Sequence, residues 1–290
     1  MFKGIYTALI TPFKNDILDV DAYEKIINRQ IKAGVSGLVP SGTTGESPTL
    51  SHDEHNDVIR ICVELAKGKV QIIAGTGSNS TKEAIYMTKY AEKVGADAAL
   101  IVTPYYNKPS VRGIYAHFKE IHDNTNIPII LYNIPGRVVV NISVDLMAEL
   151  AKLPRIIGVK DATGDLSLPG KIKQVVGPEF IQLSGEDSLA IEYNKSGGSG
   201  CISVTSNIVP DLCVAQQQAF FANDLQKADL LTQKLAELNQ VLFCETNPMP
   251  VKYAAKILGL CSGDMRLPLI EIEKKSQIKI QTALKNLALI

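Results

Sequence analysis

Eight short apolar runs punctuate the chain: GIYTALITPF from residue 4, GLVPSG from 37, QIIAGT from 71, AALIVTP from 98, PIILYNI from 128, IIGVKDA from 156, FIQLSGE from 180 and CISVTSN from 201. Within each run apolar residues follow one another instead of alternating with polar ones, the pattern of strands covered on both faces. Between the runs the spacing turns helical and capping residues mark the openings. Asp19 and Asp21 precede the first such stretch, Ser51 opens SHDEHNDVIRICVELAKG with Glu54 three residues on as a capping box, and Ser80 opens STKEAIYMTKYAEKVG. Gly34, Gly68 and Gly95 stand where helices end and the chain must turn.

Eight strand-then-helix units in about 220 residues predict a closed (β/α)8 TIM barrel. A doubly wound open sheet is the competing arrangement, and the regular spacing, which shows no reversal, favours the barrel. Beyond Asn223 the strand pattern stops. LQKADLLTQKLAELNQVLF carries Leu231, Leu235, Leu238 and Leu242 on one helical face. NPMPVKYAAKILG has Asn247 as a candidate cap, Pro248 at the first position and Gly259 as stop, and a last helix is expected from about Glu271 to about Leu287. The expected division is therefore a barrel over residues 1–222 and a C-terminal helical appendage over 223–290, with no linker between them.

Composition narrows the partners. Lysine plus arginine equals aspartate plus glutamate at 30 each, so no net field gathers nucleic acid or an anionic membrane, and small molecules are the expected ligands. No apolar run approaches the roughly 18 residues of a membrane span. MFKGIYTALITPFKND at the start is interrupted by Lys3, Thr7, Thr11 and Pro12, and fits a first strand better than a signal peptide. Cysteines 62, 201, 213, 244 and 261 form no CxxC pair, which argues against a zinc site or a disulfide framework and suits a reducing cytoplasm.

Functional groups of such barrels gather at the C-terminal ends of the strands, and residues just before a strand belong to the opposite, stabilising face. KSGGSG at 195–200 resembles a phosphate cradle, but it precedes the eighth strand and is expected to be a turn. SGTTGES at 41–47 and GTGSNST at 75–81 follow strands and stay in play. Lys160 lies near the end of the sixth strand, among Ile156, Ile157 and Val159. One reading is a lysine whose stem lies in the core while its head finds water or a carboxylate. Asp161 is poorly placed for that, because adjacent strand residues face opposite ways. The other reading starts from the penalty on an unpaired buried ammonium, which favours neutral amine, a nucleophile that attacks carbonyl carbon to form a Schiff base. From position alone the two stand about level. Tyr132 and Arg137, in YNIPGRVVVN at the end of the neighbouring fifth strand, shift the balance: a phenol can move a proton, and a guanidinium suits a substrate carboxylate. Taken singly, Tyr132 could be a barrel-filling aromatic and Arg137 an exposed loop charge.

At these residues the chain resembles the dihydrodipicolinate synthase family of pyruvate-dependent class I aldolases. The likeness covers essentially the whole chain, through TALITPF, SGTTGES, TPYYNKP, YNIPGR, GVKDATGD, SGED, CISVTSN, NPMPVKYA and RLPL. The resemblance implies condensation of pyruvate with L-aspartate 4-semialdehyde to 4-hydroxy-tetrahydrodipicolinate, towards diaminopimelate and lysine. It implies Lys160 as the imine-forming residue and Tyr132, Thr43 and Tyr106 as a proton relay, with Tyr106 reaching a neighbouring subunit's site. Thr43 and Thr44 would hold the pyruvate carboxylate and Arg137 the carboxylate of the aldehyde, with Gly185 and Ile202 lining the pocket. Ser47, His52, His55, Asn79, Glu83 and Tyr105 match the positions that bind inhibitory L-lysine, and Pro48 departs from the alanine often found among them. A homotetramer of two tight dimers is implied. Family members that cleave sugar acids such as N-acetylneuraminate share the lysine and tyrosine; Arg137 and the GTTGE motif favour the synthase. Outside the class stand a non-catalytic small-molecule binder and a pyridoxal phosphate barrel; the latter needs a phosphate cradle after the last strands, where IVPDL is poor. No cofactor is expected. The two histidines of HDEH, three apart on a helix, are expected to be a solvated first turn, since nothing completes a metal site.

Overall fold

The computed structural model describes residues 2–290. In chain order the strands are β1 (Gly4–Ala8), the small antiparallel pair β2 (Phe13–Lys14) and β3 (Ile17–Leu18), β4 (Gly37–Val39), β5 (Gln71–Gly75), β6 (Ala98–Val102), β7 (Ile129–Asn133), β8 (Ile156–Asp161), β9 (Ile181–Ser184) and β10 (Gly200–Ser203). The helices are α1 (Val20–Ala33), α2 (His52–Ala66), α3 (Thr81–Val94), α4 (Val111–Asn124), α5 (Pro135–Val138), α6 (Val144–Leu150), α7 (Leu168–Val176), α8 (Ala190–Lys195), α9 (Pro210–Phe221), α10 (Leu225–Val241), α11 (Met249–Ile257) and α12 (Lys274–Asn286). All strands but β2 and β3 close into a parallel barrel in sequence order, as the apolar runs and their spacing predict.

The predicted signals do their work locally. Asp19 caps α1 by accepting from the Ala22 amide, Ser51 and Glu54 form the reciprocal capping box of α2, and Ser80 accepts from the Glu83 amide at the start of α3. Gly34 and Gly95 end α1 and α3 with left-handed backbone, which glycine adopts without a steric penalty. KSGGSG is the turn between α8 and β10, and a Cβ on Gly198 would lie 2.5 Å from the Tyr193 ring.

By its internal contacts the chain divides into two compact units. One holds Ile72–Ile202 with Phe2 and Lys3. Its core lies between β6–β8 and the helices outside them, where Ile101, Leu131 and Val159 meet Phe118, Leu146 and Ile172. Each such buried side chain contributes roughly 1.5–3 kcal/mol relative to exposure. The other unit holds Gly4–Gln71 and Ser203–Ile290. A buried polar triangle ties its early and late segments: Thr7 Oγ1 donates to Gln30 Oε1, Gln30 Nε2 to the Ser206 carbonyl, and Ser206 Oγ to Thr7 Oγ1, each at 2.8 Å. On α10, Leu235, Leu238 and the following Leu242 are buried and Leu231 is half-buried.

Two helix starts differ from expectation. The helix expected to be capped by Asn247 with Pro248 first begins at Met249, with Pro248 at its cap position and no side-chain cap bond. The side chain of Asn247 goes to Thr44 instead. The last helix begins at Lys274, inside the expected range. Among the described residues no helix is long and apolar enough to cross a membrane.

Candidate active site

Lys160 is the penultimate residue of β8 and is only 6% exposed. Strand pairing sets its neighbours: Tyr132 of β7 on one side and Leu183 of β9 on the other. Its Nζ lies 4.3 Å from the centre of the Tyr132 ring, within cation–π range when charged. Its stem passes Gly185, where a Cβ would lie 3.1 Å from Lys160 Cε and 2.7 Å from the Ala162 Cβ. A side chain here would crowd Ala162 first and the lysine stem second, and the Gly185 amide fixes the turn by donating to the Asp161 carbonyl at 2.6 Å.

Asp161 turns to the other side, as strand alternation requires. Its Oδ1 accepts from the Thr163 amide at 2.9 Å, and burial raises its pKa. Glu186, just past the end of β9, is pushed up by burial and pulled back by the positive charges of Lys160 and Arg137. The carboxylate therefore shares one electrostatic environment with the candidate nucleophile and the candidate anion-binding guanidinium. SGED after a strand was the signal for it, and the glycine of that motif was singled out while its glutamate was not.

Arg137 is exposed on α5, the single helical turn that follows β7. Asn133, the last residue of β7, clamps the return of this turn: its Oδ1 accepts from the Ile142 amide at 3.1 Å and its Nδ2 donates to Asn141 Oδ1 at 2.8 Å. Between them Val139 has a φ of 69°, a strained conformation for a β-branched residue. Ile202 is fully buried in β10. Tyr106 stands apart, 96% exposed, on left-handed backbone with φ 69°.

Thr43 and Thr44 occupy the loop after β4, in the other unit. Left-handed residues bound this loop, Ser41 with φ 55° and Glu46 with φ 54°, and its amides fold back within it, Gly45 donating to the Gly42 carbonyl and Glu46 to the Thr43 carbonyl. Thr44 is buried and its Oγ1 accepts from Asn247 Nδ2 at 3.0 Å, while Thr43 is half-buried.

Of the six positions matched to a lysine site, Ser47 begins a short 3-10 turn, and His52 is exposed and His55 buried on α2. Asn79 accepts through its carbonyl from Asn107 Nδ2 at 2.9 Å, Glu83 accepts from the Ser78 hydroxyl, and Tyr105 is half-buried. His52 and His55 therefore do not face one way, and among the described residues no group of three histidine, cysteine or acidic side chains stands where it could hold a metal ion.

A parallel eight-stranded barrel with a buried lysine at a strand end, packed on the tyrosine of the adjacent strand, defines an enzyme of the class I aldolase type. The chain belongs to the dihydrodipicolinate synthetase family, whose model matches residues 1–287. It is 56% identical over 287 residues to the 4-hydroxy-tetrahydrodipicolinate synthase of Pelagibacter ubique, covering 98% of each chain. Among solved structures, the chloride-inhibited dihydrodipicolinate synthase from Acinetobacter baumannii complexed with pyruvate superposes with a TM-score of 0.97 at 42% identity over the whole of both chains. The dihydrodipicolinate synthase from Cyanidioschyzon merolae with lysine bound superposes with a TM-score of 0.95 at 35% identity, over 100% of this chain and 99% of that one.

Proposed function

We infer that this chain condenses pyruvate with L-aspartate 4-semialdehyde to give 4-hydroxy-tetrahydrodipicolinate, the committed step towards diaminopimelate and lysine. The observation that carries the reading is the buried Lys160 amine 4.3 Å from the Tyr132 ring centre, in a family whose members bear that activity in their names.

The Lys160 amine, once without its proton, adds to the C2 carbonyl of pyruvate, and loss of water leaves an imine. The imine draws electrons from the methyl carbon, which gives up a proton and becomes the nucleophilic end of an enamine. That carbon attacks the aldehyde carbon of the semialdehyde, whose oxygen takes a proton to become hydroxyl. The semialdehyde's own amine then attacks the imine carbon and expels Lys160, closing the ring. Tyr132, Thr43 and Tyr106 carry protons through these steps. Thr43 and Thr44 hold the pyruvate carboxylate, Arg137 takes the carboxylate of the semialdehyde in a two-pronged bond, and Gly185 and Ile202 shape the pocket.

Residues 1–222 form the catalytic barrel in this account and 223–290 its helical region. Tyr106 serves a neighbouring subunit within a homotetramer of two tight dimers; its near-complete exposure supports that reading, since a phenol in its own chain's site would be covered. L-lysine inhibits by binding Ser47, His52, His55, Asn79, Glu83 and Tyr105. The lysine bound to the Cyanidioschyzon relative supports this, as does the carboxylate of Glu83, which suits a ligand ammonium. Five cysteines with no disulfide between them support a reducing, cytoplasmic setting.

The test is turnover with pyruvate and L-aspartate 4-semialdehyde beside cleavage of N-acetylneuraminate. Synthase activity that is lost in Lys160→Ala and falls at millimolar L-lysine is the expected result. Cleavage of the sugar acid alone contradicts the acceptor, and full activity in millimolar lysine contradicts the inhibitor site.

A further inference from the structure

The side chains of Glu46 and Lys252 are fully buried and form an ion pair at 2.5 Å, linking the end of the GTTGE loop to α11. Burial draws the lysine's pKa down and the glutamate partly restores it. Replacing such a pair by apolar residues of similar volume is often neutral or stabilising, so stability alone does not account for two charges at zero exposure.

What the pair does is visible in its remaining bonds. Lys252 Nζ also donates to the Thr11 carbonyl at 2.9 Å and lies 4.5 Å from the centre of the Phe13 ring. The Thr11 hydroxyl in turn donates to the Gly45 carbonyl at 2.7 Å. The second oxygen of Glu46 accepts from the Arg266 amide at 3.2 Å. With Asn247 on Thr44, three consecutive loop residues, 44, 45 and 46, are each held by a separate bond in a stretch with no strand or helix of its own. Glu46 makes these contacts from left-handed backbone, a conformation that a non-glycine residue keeps only under constraint from its surroundings.

We propose that Glu46 and Lys252 are positioning residues for pyruvate, setting the backbone of the Thr43–Thr44 loop from the C-terminal helical segment without touching the substrate. The inference rests on the assignment of that loop to the pyruvate carboxylate. An error of about 1 Å in a binding group lowers catalysis by about 10²-fold, which gives such an anchor its leverage.

Three variants separate positioning from support: Lys252→Met, Glu46→Gln, and the two combined. Either single change leaves a buried group without its partner and lowers the melting temperature. In the combined variant no charge is stranded, and the glutamine oxygen still accepts from the Arg266 amide. Each protein is incubated with graded pyruvate, reduced with borohydride and weighed, and the KM for the semialdehyde is measured at saturating pyruvate. The combined variant is expected to recover its melting temperature while its half-saturating pyruvate stays about tenfold above wild type, with the semialdehyde KM unmoved. Recovery of both melting temperature and pyruvate half-saturation to within about twofold of wild type overturns the proposal, as does an equal rise in both substrates' constants. Should the combined variant not fold, the single variants' pyruvate and semialdehyde constants decide by the same criterion. Absence of a pyruvyl adduct in the wild type itself overturns the function assigned to the chain, and this inference with it.

Discussion

A Cβ at position 185 would lie 2.7 Å from the Ala162 Cβ, closer than real Cβ contacts come, and a tight 3.1 Å from the stem of Lys160. Relieving the contact moves the backbone where Gly185 meets Ala162, and the lysine stem beside it has to shift as well. Gly185→Ala is therefore expected to leave the barrel folded, by circular dichroism, while lowering kcat/KM about 10²-fold through displacement of the amine. Unchanged kinetics would show that Lys160 has slack the geometry does not provide. The same residue scale holds Glu186. Burial, more than any charge, raises its pKa, while Lys160 pulls it down, so this carboxyl belongs to a field that sequence adjacency to Asp161 does not suggest. The placement of Lys160 and Tyr132 near strand ends can be read from short motifs, and Arg137 follows on the turn after β7 within the same motif as Tyr132. Glu186 shows itself only once β8 and β9 lie side by side.

Among the elements, α2 is fixed at its start by two devices. Ser51 and Glu54 cap one another, and Arg266 adds a two-pronged contact, with Nη1 donating to Glu54 Oε2 at 2.8 Å and Nη2 to Oε1 at 2.6 Å. These bonds, Arg266 first, hold the Glu54 pKa down to about 2. Because the folded value lies below the unfolded one, the stabilisation is present above the ordinary glutamate range and disappears as pH falls from about 4.5 through about 2. Glu54→Gln is expected to flatten acid unfolding across that window, and an identical acid profile would show the contact to be screened by solvent. The capping box is plain in the sequence because its partners are three residues apart. Arg266 lies 212 residues from Glu54, and Lys252 lies 206 from Glu46, so neither pairing leaves a local pattern. The strands were legible for the opposite reason: burial on both faces writes a continuous apolar run. Asn247 and Pro248 satisfy the local pattern of a capped start, yet the helix begins at Met249 and the Asn247 side chain donates to Thr44, a partner 203 residues away that no local pattern discloses.

At the scale of the whole molecule, the exposed Tyr106 can play the relay role proposed for it only beside another chain. Tyr106→Phe should fold normally and lose most of its turnover. Mixing it with Lys160→Ala makes the point sharper: dissociated and reassembled together, the two inactive chains form hybrid dimers in which one site has both an intact lysine and a neighbour's tyrosine. Half of the dimers are hybrid and one of two sites in each is whole, so roughly a quarter of wild-type activity should return. No recovery, with hybrid formation verified by mass, contradicts a shared site.

The central claim is that the Lys160 amine is the nucleophile that captures pyruvate. Pyruvate followed by borohydride, then proteolysis and mass mapping of the labelled peptide, tests it directly. A single reduced pyruvyl adduct on Lys160, absent when borohydride is added without pyruvate, is the predicted result; an unshifted protein, or an adduct on any other lysine, contradicts it.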